Sequence, residues 1–215
     1  MPSLTNLSYI KELSQKYGFT FEKKFGQNFI INPSVCPRIV DNAGIDENTG
    51  VIEIGTGVGV LTAELAKRAK KVVAIEIDTD LKELLKETLG EYDNIEIIFD
   101  DVLNVDLNAL IEEKFKGMPG VVCANLPYYI TSPIIMKLLE DRLNVENITV
   151  MVQKEAAQRL CARQQSRDIH LHIQQHLVLG LVAPRRRQGV AQPGGSCADR
   201  LGTHPDMRTA AGQQI

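Results

Sequence analysis

Short apolar runs alternate with helical repeats through the first 162 residues of the 215-residue chain. Leu4, Leu7, Ile10 and Leu13 recur at helical spacing, and Gly18 follows as a stop. The aromatic, basic stretch FTFEKKFGQNFIIN, residues 19–32, reads as loop. Asn32-Pro33 reads as a cap with proline at the first helical position, and Gly44 closes that helix. Apolar strands are predicted at Val51–Ile54, Val72–Ile77, Ile95–Phe99, Gly120–Ala124 and Ile148–Gln153. Between them fall helices with Leu61, Leu65 and Ala69 on one face, then with Leu81, Leu84, Leu85, Thr88 and Leu89. Others are predicted over 107–116, from Ser132-Pro133 through Leu139, and over 154–162. Strand and helix in strict alternation give parallel βαβ units with helices on both faces, an α/β class.

Composition changes the picture after residue 162. Residues 1–162 carry 17 basic and 24 acidic side chains, whereas residues 163–215 carry seven Arg and three Asp. The later segment has no Lys, no Glu and no aromatic residue, yet it holds all four His. Without aromatic side chains it lacks the largest contributors to a core. It is read as out-of-frame translation, or alternatively as a Gln/Arg-rich disordered extension. The alternation of Ile169, Leu171 and Ile173 and the run LVLGLV at 177–182 are put down to chance strand propensity. The expected domains are therefore a catalytic body, 1–162, and an unrelated tail, 163–215.

The four cysteines (Cys36, Cys123, Cys161, Cys197) lie far apart with no CxxC pair, which argues against zinc and against a disulfide framework. They imply reduced thiols in the cytoplasm. No apolar run reaches the ~18 residues of a membrane span, and the N-terminus has no signal-peptide pattern. No metal and no membrane partner are expected.

Candidate chemistry gathers at predicted strand ends. Glu53-Ile54-Gly55-Thr56-Gly57-Val58-Gly59 joins a strand to a helix, where glycines allow a sharp turn and close backbone approach to a ligand. A dinucleotide fingerprint needs its third glycine at position 60, which is Val60, so a nucleoside without pyrophosphate suits the loop better. Glu76 ends the second strand, where a carboxylate can accept both ribose hydroxyls. Asp101 closes the third, placed to accept an adenine amine, with a solvated turn as the plain alternative. Asn125-Leu126-Pro127-Tyr128 ends the fourth. The exocyclic amine of adenine is a poor nucleophile because its lone pair is delocalised into the ring. The Asn125 side chain and the Pro127 carbonyl can hold its hydrogens out of plane, and Tyr128 offers a ring on which an extruded base stacks, worth ~1–3 kcal/mol.

GQNF (26–29), EIGTGVG (53–59), IEID (75–78), the acids at 100–101, NLPYYIT (125–131) and VMVQKEAAQRL (150–160) occur in this order. Together they resemble the KsgA/RsmA family, the small-subunit ribosomal RNA adenine N6,N6-dimethyltransferases. The likeness covers residues ~20–162. It implies a Rossmann-like class I S-adenosylmethionine-dependent methyltransferase fold with a mostly parallel sheet. It implies S-adenosyl-L-methionine as cofactor, with contacts at Asn28, Ile30, Gly55, Gly57, Glu76, Asp101 and Asn125. The implied substrate is a pair of adjacent adenosines in the 3′-terminal hairpin of small-subunit rRNA, within an immature subunit, each methylated twice by a monomeric enzyme. Phe25 and Phe29 are expected to anchor the N-terminal segment over the cofactor.

The family continues with two more strands and a helical RNA-gripping domain, and nothing after residue 162 matches them. The expected sheet therefore lacks its last strands and leaves ITVMVQ (148–153) as an apolar exposed edge, lowering solubility and weakening cofactor binding. Competing functions are a large-subunit rRNA adenine methylase and a non-catalytic small-subunit assembly factor. An NAD-linked oxidoreductase is disfavoured by Val60 and by the lack of any His before residue 163.

Overall fold

A computed structural model of the chain describes residues 3–18, 30–127, 129–153, 169–172 and 177–181. Seven strands form one sheet in the order β3-β2-β1-β4-β5-β7-β6. They are β1 (Gly50–Ile54), β2 (Lys71–Glu76), β3 (Ile95–Phe99), β4 (Gly120–Asn125), β5 (Asn147–Val152), β6 (Ile169–His172) and β7 (Leu177–Leu181). The first five are parallel; β7 runs antiparallel to β5, and β6 antiparallel to β7.

The helices are α1 (Leu7–Tyr17), α2 (Val35–Ala43), α3 (Val60–Ala66), α4 (Lys82–Leu89), α5 (Leu107–Phe115) and α6 (Thr131–Glu140). Successive side chains of a strand point to opposite faces, so the apolar runs fill two cores. Ile52, Ile54, Val73, Ile75, Val122 and Ala124 pack against Leu110, Ile111 and Phe115 of α5 and Ile134, Ile135 and Leu138 of α6. Val51, Val72, Val121 and Cys123 pack on the other face against Ile39 and Val40 of α2 and Leu61 and Leu65 of α3. Leu13 of α1 joins Leu81, Leu84, Leu85 and Leu89 in a third cluster. A sheet buried on both faces reads as near-continuous apolar runs, and for that reason the five parallel strands were legible.

Caps close both ends of α1 and the C-terminal end of α2. Asn6 caps α1 through its side chain, and Gly18 and Gly44 end α1 and α2 in the left-handed region. The start of α2 differs from expectation. Asn32 Oδ1 accepts the backbone N–H and the hydroxyl of Ser34 at 3.0 and 2.8 Å, so Asn32-Pro33 forms a turn and the helix begins at Val35. The predicted helix 154–162 and the 19–29 part of the predicted loop lie outside the described residues.

The expectation that the sheet lacks its last strands is corrected. Ile148–Val152 pairs with Leu181–Leu177, and Ile169–His172 pairs with Leu181–Val178. Ile169–His172 and Leu177–Leu181, put down to chance strand propensity, pair with each other, and the backbone of β7 covers β5. That edge of β5 is therefore paired rather than exposed. Contacts divide the chain into a unit Met1–Ala183 and a second, Pro184–Ile215, whose residues lie outside the described ones. Among the described residues no helix is long and apolar enough to cross a membrane.

Candidate functional site

Sheet order decides which loops meet. Ile54 at the end of β1 lies between Ile75 of β2 and Ala124 of β4, so these strands finish at a common edge. Hydrogen bonds carry the pairing one step further: Gly55 N–H donates to Ile75 O (2.9 Å), Asp100 N–H to Glu76 O (3.0 Å) and Leu126 N–H to Met151 O (3.0 Å). The Gly loop, Glu76, the 100–101 acids and the Asn125 loop are thereby brought to the carboxyl end of adjacent strands, where ligands bind in open α/β sheets.

A cleft there is lined by Ile30, Gly55–Val58, Val60, Leu61 and Asn125–Pro127. Gly55 and Gly57 have positive φ (79° and 54°), and a Cβ built on either would meet no atom within 4 Å. The backbone of the loop is thus open to close approach. Gly59 differs: with φ 91°, its Cβ would lie 3.0 Å from Leu89 Cδ2, so this glycine serves the packing of α3 on α4.

Glu76 is 4% exposed and organises the loop. Its Oε2 accepts Thr56 N–H (2.8 Å), Thr56 Oγ1–H (2.8 Å) and Gly57 N–H (3.0 Å), while Oε1 accepts Asp78 N–H (3.0 Å). A carboxylate offers about four lone-pair sites. Oε1, with one protein donor, keeps capacity for a hydroxyl. Asp101 Oδ1 accepts Leu103 N–H (2.9 Å) and holds the turn after β3, which leaves Oδ2 as the oxygen available to an amine.

Asn125 is partly buried on the cleft wall and Pro127 lies beside it. The Pro127 carbonyl, expected to accept an amine hydrogen, already accepts Thr131 Oγ1–H at 2.8 Å and Ile130 N–H at 3.3 Å. Ile130 is the cap residue of α6 and Thr131 its first residue. Asn28, Tyr128, Phe25 and Phe29 lie outside the described residues; Ile30 is on the cleft wall.

Sequence reasoning missed three residues here. Thr131 was read only as the end of NLPYYIT, although it binds the Pro127 carbonyl. Tyr129 is half exposed; burial first, then the negative charges of Glu76 and Asp101, push its phenol pKa up. Glu53 was read as the acidic strand residue that precedes the glycines; it is fully buried, and neither carboxyl oxygen has a protein partner. Burial, opposed by the nearby Thr62 hydroxyl and reinforced by Glu76, raises its pKa to about 8. The two described thiols are poor nucleophiles: burial pushes Cys36 up to about 12 and Cys123 higher still.

A family model described as ribosomal RNA adenine dimethylase matches residues 18–177. The protein named ribosomal RNA small subunit methyltransferase A of Bacillus licheniformis is 54% identical over 159 residues, 74% of this chain and 54% of its own length. That of Alkaliphilus oremlandii is 49% identical over 168 residues, 78% of this chain and 58% of its own. The chain spans about half the length of these curated relatives. Among solved structures, the 23S rRNA methyltransferase ErmE aligns with TM-score 0.61 at 26% identity, over 74% of this chain and 70% of its own. A dimethyladenosine transferase from Plasmodium falciparum aligns with TM-score 0.56 at 29% identity, over 71% and 62% respectively. An RNA methyltransferase from Salinibacter ruber in complex with S-adenosyl-L-homocysteine, 18% identical with TM-score 0.55 over 76% of this chain and all of its own, shares the fold.

Proposed function

The chain belongs to the ribosomal RNA adenine dimethylase family, and from that premise we propose that it dimethylates N6 of two adjacent adenosines in the 3′-terminal hairpin of small-subunit rRNA. The cofactor in this reading is S-adenosyl-L-methionine, and the substrate is an immature small ribosomal subunit in the cytoplasm, met by a monomer. Every proposed contact lies within residues 1–162; the segment 163–215 supplies none.

One observation carries the reading. The Gly55–Val58 loop and Asn125-Leu126-Pro127 line one cleft, so a nucleoside held by the first shares that cleft with the acceptors of the second. The residues suit the cofactor. Gly55 and Gly57 leave backbone room, Glu76 Oε1 can accept a ribose hydroxyl, and Asp101 Oδ2 can accept the adenine amine. Asn28 and Ile30 complete the proposed set from the N-terminal segment. When bound, S-adenosylmethionine supplies a methyl group already activated by its sulfonium charge.

The protein's task is then mostly placement, an effect that can supply ~7–11 kcal/mol. Asn125 Oδ1 and the Pro127 carbonyl accept the two amine hydrogens of the target adenine and turn its lone pair toward the methyl. Tyr128 stacks the extruded base. No strong general base is required, because the nitrogen that has gained a methyl sheds its proton readily to water.

Transfer of tritiated methyl from S-adenosylmethionine tests this. Immature small subunits are expected to accept label, whereas mature small subunits, large subunits and reactions with Asn125→Ala are not. Label in the large subunit would overturn the substrate assignment. Tight subunit binding without label would point to an assembly factor.

A further inference from the structure

We propose that Thr131 is the positioning residue that aims the Pro127 carbonyl at the target amine. The inference rests on the reading of Asn125 and Pro127 as the amine's acceptors and goes one residue beyond it.

The loop between β4 and α6 is fastened at its start by Leu126 N–H on Met151 O. Proline has no N–H, so Pro127 itself can be held by backbone hydrogen bonds only through its carbonyl. That carbonyl accepts two donors of unequal quality. The Thr131 hydroxyl, at 2.8 Å, is at the optimum for an O–H donor, whereas Ile130 N–H, at 3.3 Å, is beyond the usual N–H range. Thr131 is 2% exposed, so water cannot take over its role, and Pro127 is on the cleft wall within reach of a base. A branched side chain held in the core has little freedom at χ1. Its hydroxyl therefore fixes one lone-pair direction of the carbonyl.

A carbonyl oxygen has two lone pairs. The Thr131 hydroxyl keeps one, and the long contact from Ile130 yields the other to the N6 hydrogen. A second donor weakens an acceptor slightly, so the contribution of Thr131 is to direction rather than to strength. Directional control matters because small misplacement of a reacting group has a large effect on rate.

Thr131→Val removes the hydroxyl at constant shape, and Thr131→Ser restores it. On immature subunits, kcat of Thr131→Val is expected to fall about tenfold or more while the KM for S-adenosylmethionine stays within about twofold, and Thr131→Ser to recover most of the loss. A wild-type kcat in Thr131→Val, or equal impairment of both variants with the fold intact, overturns the inference. An equilibrium readout separates this failure from failure of the underlying reading. With S-adenosylhomocysteine present, the wild-type full chain should bind a hairpin RNA carrying adenosine more tightly than one carrying purine riboside, which lacks the amine. Thr131→Val should lose that preference and Thr131→Ser keep it. A wild type with no preference sinks the acceptor assignment itself; a preference retained by Thr131→Val sinks only the role of Thr131.

Discussion

Glu76, the last residue of β2, accepts both the backbone N–H and the hydroxyl of Thr56 at 2.8 Å, so one buried carboxylate ties the glycine loop of β1 to the neighbouring strand. The same group is proposed to receive the ribose, so loop shape and cofactor recognition share one side chain. Glu76→Ala leaves three loop donors unpaired and is expected to weaken S-adenosylmethionine binding by more than about tenfold. Thr56→Val removes one bond and keeps the N–H, and should lower unfolding stability by about 0.5–1.5 kcal/mol. Calorimetric titration and urea unfolding check the pair.

Glu53 gives the chain a pH dependence. Its pKa rises from 4.5 to about 8 on folding, chiefly through burial. Between these values the folded form holds a proton that the unfolded form has released, so stability falls as pH rises through the window. Above about 8 the native carboxyl ionises and the loss levels off. Glu53→Gln removes this linkage. Melting temperatures from pH 5 to 8 should decline more steeply in wild type than in Glu53→Gln; parallel slopes would show that the carboxyl is not held neutral.

Neighbouring glycines in the loop separate strain from function. Gly59→Ala combines φ 91° with a 3.0 Å approach to Leu89 and should destabilise the fold by about 1–3 kcal/mol. Gly57→Ala meets nothing within 4 Å and has φ 54°, close to the ordinary left-handed region, so its stability loss should be about 1 kcal/mol. Its cofactor affinity should fall out of proportion to that loss. Thermal unfolding with and without S-adenosylmethionine distinguishes the two.

The hairpin of β6 and β7 makes a prediction about truncation. A chain ended at residue 162 would expose the full β5 edge now paired with Leu177–Leu181, and apolar edges invite strand addition. Light scattering should show aggregation of residues 1–162 under conditions where residues 1–183 stay dispersed. Equal behaviour would show that the hairpin does not protect the edge.

The five parallel strands were legible because burial on both faces leaves apolar runs bounded by glycines and acids, and Gly18 and Gly44 marked helix ends by their backbone freedom. The convergence of Gly55, Glu76, Asp101 and Asn125 followed from strand order alone. Other features depend on contacts that spacing does not encode. Asn32 delays α2 by binding Ser34, a choice between cap and turn set by side-chain rotation. The hydroxyl of Thr131 meets the Pro127 carbonyl only because the chain turns at Ile130. Glu53 was placed on the strand before the glycines, but its burial in the core beside Thr62 depends on what packs against that face of the sheet. The strands Ile169–His172 and Leu177–Leu181 were misjudged because overall composition was weighed above local alternation.

Mass-spectrometric analysis of nucleosides from immature small-subunit rRNA, after incubation with the chain and S-adenosylmethionine, tests the central claim most directly. The predicted product is N6,N6-dimethyladenosine at two adjacent positions near the 3′ end, present with wild type and absent with Asn125→Ala. Methyl groups on any atom other than adenine N6, or equal product from Asn125→Ala, would contradict it.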